Sequence, residues 1–298
     1  MGVTQTQRPT RTLVRLAWAN LVANIAIVIT GGAVRLTGSG LGCPTWPRCT
    51  DDSYVPHDEL GINGAIEFGN RTLTFVLVAI AIGCWVAALR PVLSDRDGAD
   101  RRPFVLATVI ALGIPAQAII GGITVLTDLN PWIVAFHLLV SMAIIGACVL
   151  LVDLLAGRPR AWATPRLKQA AAATFAAGWV VLYLGTVVTG SGPHSGDLDS
   201  RRTGLDPATM SHVHAWAVYA LVGLTVLTLV LARRAGNVPL RTAATALLGV
   251  EVLQGAIGYT QYFLDLPIAL VLLHMLGAAL TSAALAWLVI STRASRGA

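Results

Sequence analysis

Residues 117–137, QAIIGGITVLTDLNPWIVAFH, and residues 254–274, QGAIGYTQYFLDLPIALVLLH, decide the architecture. Each begins at a glutamine, passes through a glycine-bearing apolar run and a turn with a proline, and ends on a histidine twenty residues on (Gln117 to His137, Gln254 to His274). That is one helix pair written twice. An imidazole in hydrocarbon is costly unless something binds it, and a metal inside a repeated helix pair meets that need.

The rest of the chain supplies the hydrocarbon setting. Of 298 residues 55% are hydrophobic and 12% charged, with a mean hydropathy of +0.70, which excludes an ordinary soluble domain. A bilayer-spanning helix needs about 20 mostly apolar residues. Eight stretches qualify: 12–34, 65–89, 104–126, 132–156, 168–190, 208–232, 241–262 and 267–290. The first follows a polar, Arg-bearing segment and is too long for the apolar core of a signal peptide, so it reads as a retained span.

Basic residues set the orientation, because cytoplasmic loops retain Lys and Arg. With the N-terminus inside, 16 of the 21 fall on the inner side: Arg8, Arg11, Arg15, Arg90, Arg96, Arg101, Arg102, Arg158, Arg160, Arg166, Lys168, Arg233, Arg234, Arg241, Arg293 and Arg296. Only Arg35, Arg48, Arg201 and Arg202 fall outside, and nine of the fifteen acids (Asp199 among them) join them there. The expectation is an all-α integral membrane protein with both termini cytoplasmic. Its net charge of +6 reports topology and contact with anionic lipid, so no nucleic-acid partner is called for.

Cys84 and Cys148 lie within apolar helices, where a thiol acts as a small apolar side chain. Cys43 and Cys49 stand in the first outer loop, in Cys-Pro-Thr-Trp-Pro-Arg-Cys. That loop faces an oxidising compartment and two prolines stiffen it, so a disulfide is expected, either as a staple or as a redox-active pair.

The repeat extends beyond the histidines. Helix one ends in Gly31-Gly-Ala-Val-Arg-Leu-Thr-Gly-Ser-Gly40 and helix five in Gly185-Thr-Val-Val-Thr-Gly-Ser-Gly192. Four helices separate equivalent elements, so the halves insert with the same orientation about an axis near the membrane normal. The expected division is residues 1–157 and 158–298, each a four-helix bundle able to hold a cofactor between facing helices.

A haem held between helices needs axial ligands on opposite faces of its ring. In the C-terminal half His274 has a partner at similar depth in His214, which opens the apolar face of helix six; His212 points about 200° away, nearer the interface. Two imidazoles saturate the iron and suit electron transfer. In the N-terminal half, helix two instead offers Glu67, Asn70 and Arg71 opposite His137. An amide is a poor iron ligand, so that half holds at most one strong axial bond and keeps a reactive position.

Taken in order, Arg35 to Cys49, Glu67-Phe-Gly-Asn-Arg71, Gln117 to Thr127, His137-Leu-Leu-Val-Ser, and Gln254 through His274 resemble the haem A synthase family over nearly the whole chain, from about residue 15 to 290. The resemblance implies an eight-helix membrane enzyme with two similar four-helix halves, and the Ala- and Arg-rich composition suggests a bacterial source and so the plasma membrane. Its C-terminal half carries haem b on His214 and His274. Its N-terminal half (His137, Asn70) receives haem O from the synthase that makes it and oxidises one methyl group to the formyl group of haem A. The oxidation is usually drawn as two hydroxylations with dioxygen, giving a geminal diol that loses water. Glu67 matches the family's functional glutamate, and Cys43 with Cys49 its disulfide. Two departures stand out: many members have a histidine where this chain has Asn70, and some have a second cysteine pair after helix five that the loop from Pro193 lacks.

For Glu67 the choice is between assisting the methyl oxidation and a salt bridge to Arg71; for Arg35 and Arg71, between haem propionate partners and plain interfacial arginines. Gln117 and Gln254 read as structural, Trp46 and Trp132 as interfacial belt, and His57 and His194 as solvent-exposed. Glu251 has no assignment. A di-haem electron carrier without oxidation chemistry would explain the repeated histidines but not Glu67 or Asn70. A secondary transporter would place its ligands at mid-depth, whereas these cluster near the outer ends. The electron donor, and whether the chain forms a homo-oligomer, are open.

Overall fold

A computed structural model describes residues 9–94, 99–157, 161–197 and 200–293. Of the residues used above for orientation, Arg8, Arg96, Arg158, Arg160, Asp199 and Arg296 lie outside these. The eight expected spans are eight α-helices, all long and apolar enough to cross a membrane. They are α1 (Arg11–Leu36), α2 (Gly61–Ser94), α3 (Arg102–Leu126), α4 (Pro131–Ala156), α5 (Pro165–Ser191), α6 (Pro207–Arg234), α7 (Val238–Phe263) and α8 (Ile268–Ile290).

Local chemistry starts these helices sharply. Asn130, Thr164 and Asp206 each accept a hydrogen bond from a first-turn amide, and each is followed by proline at the first helical position. Asn237 caps α7 in the same way. Asp206 also accepts from the Thr209 hydroxyl, and that bond, with the Thr209 amide, holds its carboxyl below the usual carboxylate range. Gly157, in the left-handed region at φ 56°, closes α4. Only α2 overruns its expected bounds noticeably. Its first turn is held by the outer loop, with the Ser39 hydroxyl donating to Asn63 at 3.0 Å, so apolar patterning alone could not reveal it.

The first four helices form a ring in which α1 packs on α2 and α4, and α3 on α2 and α4; α5 to α8 form a second ring with the same pattern. The rings meet along α4–α8, flanked by α1–α8 and α4–α5. That is the contact set of a twofold axis between α4 and α8. The Ser282 hydroxyl on α8 donates to the Met142 carbonyl on α4 across the seam at 2.8 Å.

The repeat also reaches the turns before α4 and α8. Asp128-Leu129 and Asp265-Leu266 both adopt the left-handed conformation, at φ between 51° and 58°. A non-glycine residue pays roughly 1–2 kcal/mol there, so strain kept in both copies marks a turn whose geometry matters.

Packing is uneven with depth. The largest fully buried side chains, among them Ile110, Ile145, Leu151, Leu247 and Leu285, lie at mid-depth or towards the end bearing residue 11. None sits at the level of His137, His214 or His274. At 1.5 Å per residue, each of these three lies about 9–11 Å from its helix's opposite end. Towards the histidine level bulky buried side chains give way to glycines.

Candidate functional site

Four loops gather at the histidine end: residues 37–60, 127–130, 192–197 with 200–206, and 264–267. The Gly40 amide donates to the Gly196 carbonyl at 2.8 Å, and His194 meets the Leu266 carbonyl at 3.1 Å. His194 is thus half-buried and bonded, a correction to its expected exposure. His57 is exposed, as expected, beside Asp52.

Three imidazoles lie just beneath these loops, each against a glycine of the neighbouring helix. A Cβ at Gly121 would meet His137 Cε1 at 3.3 Å, one at Gly258 would meet His274 Cε1 at 3.4 Å, and one at Gly185 would meet His214 Cε1 at 3.3 Å. The Nδ1 atoms of all three are buried without a hydrogen-bond partner. A buried nitrogen with no partner is a debt the folded chain does not settle itself, and an axial bond to a metal is one way to settle it. His212 is exposed beside Tyr262, consistent with its turning away from the bundle.

The two halves differ on their second helices. In the C-terminal half that helix carries His214. In the N-terminal half Asn70 Oδ1 accepts from the Thr30 hydroxyl at 2.8 Å, which ties the amide to α1. Gln117 bonds across the helices, as its structural reading expected. Its Nε2 donates to the His137 carbonyl at 2.9 Å and to Ser141 Oγ at 2.5 Å, fixing α4 where the imidazole leaves it. Gln254 lies against Gly277 of α8, where only a glycine leaves room for it.

Over the N-terminal half stands the Cys43–Cys49 loop, closed by a disulfide with Cα atoms 4.4 Å apart. Glu67 and Arg71, one turn apart on α2, clamp it. Glu67 is 5% exposed and accepts the Cys43 amide at 2.6 Å on one oxygen and Arg71 on the other. Arg71 spends all five N–H groups on Glu67 and on the carbonyls of Cys43, Thr45 and Arg48. In this arrangement it has no N–H left for a propionate, and the ion pair weighed as the plain alternative for Glu67 is present. Trp46, at the middle of the loop, packs on Gly122 of α3, next to the glycine under His137. It is a plug on the bundle, beyond its expected place in the interfacial belt. Sequence reasoning could have found it: the pair Gly121-Gly122 gives α3 two adjacent faces without side chains.

Arg35 lies on the other side of the mouth. Its Nε donates to the His194 carbonyl at 2.6 Å and its Nη2 to the Thr189 carbonyl at 2.8 Å, joining the end of α1 to that of α5. Arg35, Asn63, His194 and Asp197 line a cavity of about 500 Å³ between the halves. Cys84 and Cys148 are free and fully buried, as expected.

Known proteins match this arrangement. A family model described as cytochrome oxidase assembly protein (COX15-CtaA) matches residues 14–286. The chain is similar to a protein named "Heme A synthase" from Shewanella oneidensis, 23% identical over an alignment covering 89% of this chain and 93% of that protein. It is also similar to proteins of the same name from Rhodopseudomonas palustris (28% identical; 61% of this chain, 59% of that protein) and Bacillus pumilus (34%; 43% and 40%).

Proposed function

The chain belongs to the COX15-CtaA family of cytochrome oxidase assembly proteins, and from that premise we propose that it is a haem A synthase, oxidising a methyl group of haem O to the formyl group of haem A. It is a multi-pass bacterial membrane protein acting in haem A biosynthesis for oxidase assembly. The positive-inside count puts both termini in the cytoplasm and the loop-covered mouths outside.

The observation that carries this reading is the asymmetry of two otherwise matched sites: three imidazoles seated on glycines, each with a buried Nδ1 that has no hydrogen-bond partner among the described residues, two of them in the C-terminal half and one in the N-terminal half. His214 and His274 hold haem b, which supplies single-electron transfer when bound. With both imidazoles engaged, that half would serve electron transfer. His137 would bind the substrate haem O. Asn70, engaged by Thr30, offers no second strong ligand, so the haem bound there would stay open to chemistry and to exchange.

Glu67 assists the methyl oxidation from the rim of this site. It stands at the mouth with its charge balanced by Arg71, where it can stabilise developing positive charge or pass a proton between the site and the outer loop. The Cys43–Cys49 loop with Trp46 shields the site from water. Arg35, beside the cavity between the halves, is the arginine placed to meet a propionate. Haem O arrives from its own synthase through the bilayer, electrons come from an unidentified donor, and a homo-oligomer would leave each chain's sites intact.

The test is co-expression with a haem O source, followed by chromatographic identification of the extracted haems. Haem A is expected from the native chain. Glu67→Gln should keep haem bound yet lower haem A by on the order of a hundredfold. Haem binding without haem A from the native chain would instead make it an electron carrier.

A further inference from the structure

Glu251 is the one acid in the C-terminal bundle to which the reading above gives no work. It lies in the middle of α7, 4% exposed, and one carboxylate oxygen accepts the Thr225 hydroxyl of α6 at 2.7 Å. The other oxygen is buried with no partner. Its counterpart 137 residues earlier is Ile114, packed with Leu77 and Ala81 in an apolar cluster. The carboxyl therefore belongs to one half only, although the surrounding helices are built alike. A carboxyl at this depth costs stability, and such groups usually mark proton movement.

Two further features point the same way. Glu251 is seven residues below Gly258, the glycine against His274, which puts it about 10 Å deeper along α7. That is close enough for charge on one group to be felt at the other across a low-dielectric interior. Towards the inner end, fully buried hydroxyls continue the line. Thr228 lies one turn below Thr225 on the same face of α6, and its hydroxyl meets that of Thr174 on α5 at 3.0 Å. Below them a cavity of about 570 Å³ opens between α5 and α6, lined by Leu167, Leu231, Arg166 and Arg234. Elsewhere on α6 and α8, the elements packed against α7, the titratable or charged side chains are His212, His214, Tyr219, Arg233, Arg234 and His274; none hydrogen-bonds to Glu251.

We propose that Glu251 is the proton-exchanging group of the C-terminal half, taking up one proton from the inner side when the haem between His214 and His274 gains one electron, and releasing it when that electron leaves. The proposal rests on that placement of haem b. In the balance, one electron arrives from a one-electron reductant and one proton from water by way of the threonines. The carboxylate becomes a carboxylic acid, and the net charge in the hydrocarbon does not change. The N-terminal half, with an isoleucine at this position, has no such compensation.

The test is an optical redox titration of the purified haem-loaded protein between about pH 5 and about pH 9. In the native chain the midpoint potential should fall as pH rises, with a limiting slope of about 59 mV for each tenfold drop in proton activity. In Glu251→Gln, which keeps the shape and the bond to Thr225, the slope should vanish. A native potential that ignores pH, or a slope retained in the variant, overturns the proposal. Should the variant fail to fold, the infrared difference spectrum of the native protein decides. Reduction should bring up a protonated-carboxyl band that shifts in heavy water, and its absence overturns the proposal. His274→Ala is the control for the underlying reading: a titrating haem that persists unchanged there refutes the ligand assignment, whereas a slope retained in Glu251→Gln refutes the proton role alone.

Discussion

The N-terminal and C-terminal bundles share a framework and differ in almost everything that bears on chemistry. Both set an imidazole from their fourth helix on a glycine of the third, with the same left-handed Asp-Leu turn between. The C-terminal bundle adds His214 on the facing helix and a buried carboxyl below. The N-terminal bundle has an amide bonded to Thr30 where the second ligand would stand, an apolar cluster below, and a disulfide loop clamped over its mouth. Under the proposed function a duplicated scaffold would thus hold a saturated site and an unsaturated one without altering its helices. What changes is a few side chains on the helices and one loop.

Removing ligands should break this contrast most visibly. His214→Ala or His274→Ala should each weaken haem b binding by at least about tenfold, judging by what lesser changes around metal ligands cost. His137→Ala should leave the haem b spectrum as it was and lose only the substrate haem. Absorption spectra of the three purified variants check this, and equal losses in all three would end the division of labour.

A sharper test equalises the halves. Asn70→His should convert the haem bound in the N-terminal half from a one-imidazole to a two-imidazole complex, read by paramagnetic resonance as a second low-spin ferric signal. Thr30 loses its bond partner in that variant, so a small loss of stability, roughly 1 kcal/mol, should accompany it. The most local effect belongs to the loop. Cys43→Ser opens a ring with a sequence separation of six, which chain entropy values at about 2 kcal/mol. The loss should fall on the N-terminal half alone, seen as earlier thermal release of its haem with haem b unaffected.

The architecture was readable because the evidence for it is periodic. Eight apolar runs, the uneven distribution of basic residues and the glutamine-to-histidine spacing each repeat, so chance matches are rare. His137, His214 and His274 stood out for the same reason, as costly residues in apolar surroundings. Contacts formed between distant loops were not readable. Gly121-Gly122 marks a bare face of α3 but does not say that Trp46 covers it, nor does any pattern near Arg71 say that its other donors are used by loop carbonyls. His194 was misjudged because a loop histidine looks exposed until the carbonyl of Leu266, 72 residues away, is brought to it. The Glu67–Arg71 pair falls between these cases: its helical spacing was visible, but the Cys43 amide that completes it was not.

Arg35 carries a consequence of its own. In a bilayer, lipid tails are as apolar as the helices, so no hydrophobic force presses the two bundles together. Cohesion must come from close packing along the α4–α8 seam and from the few polar ties across it. Arg35, reaching from α1 to the carbonyls of Thr189 and His194, joins the Gly40–Gly196 bond as a tie at the end where the outer loops gather. It acts as a strut that fixes the spacing of α1 and α5 there, and under the proposed function that same spacing would set how far apart the two haems stand.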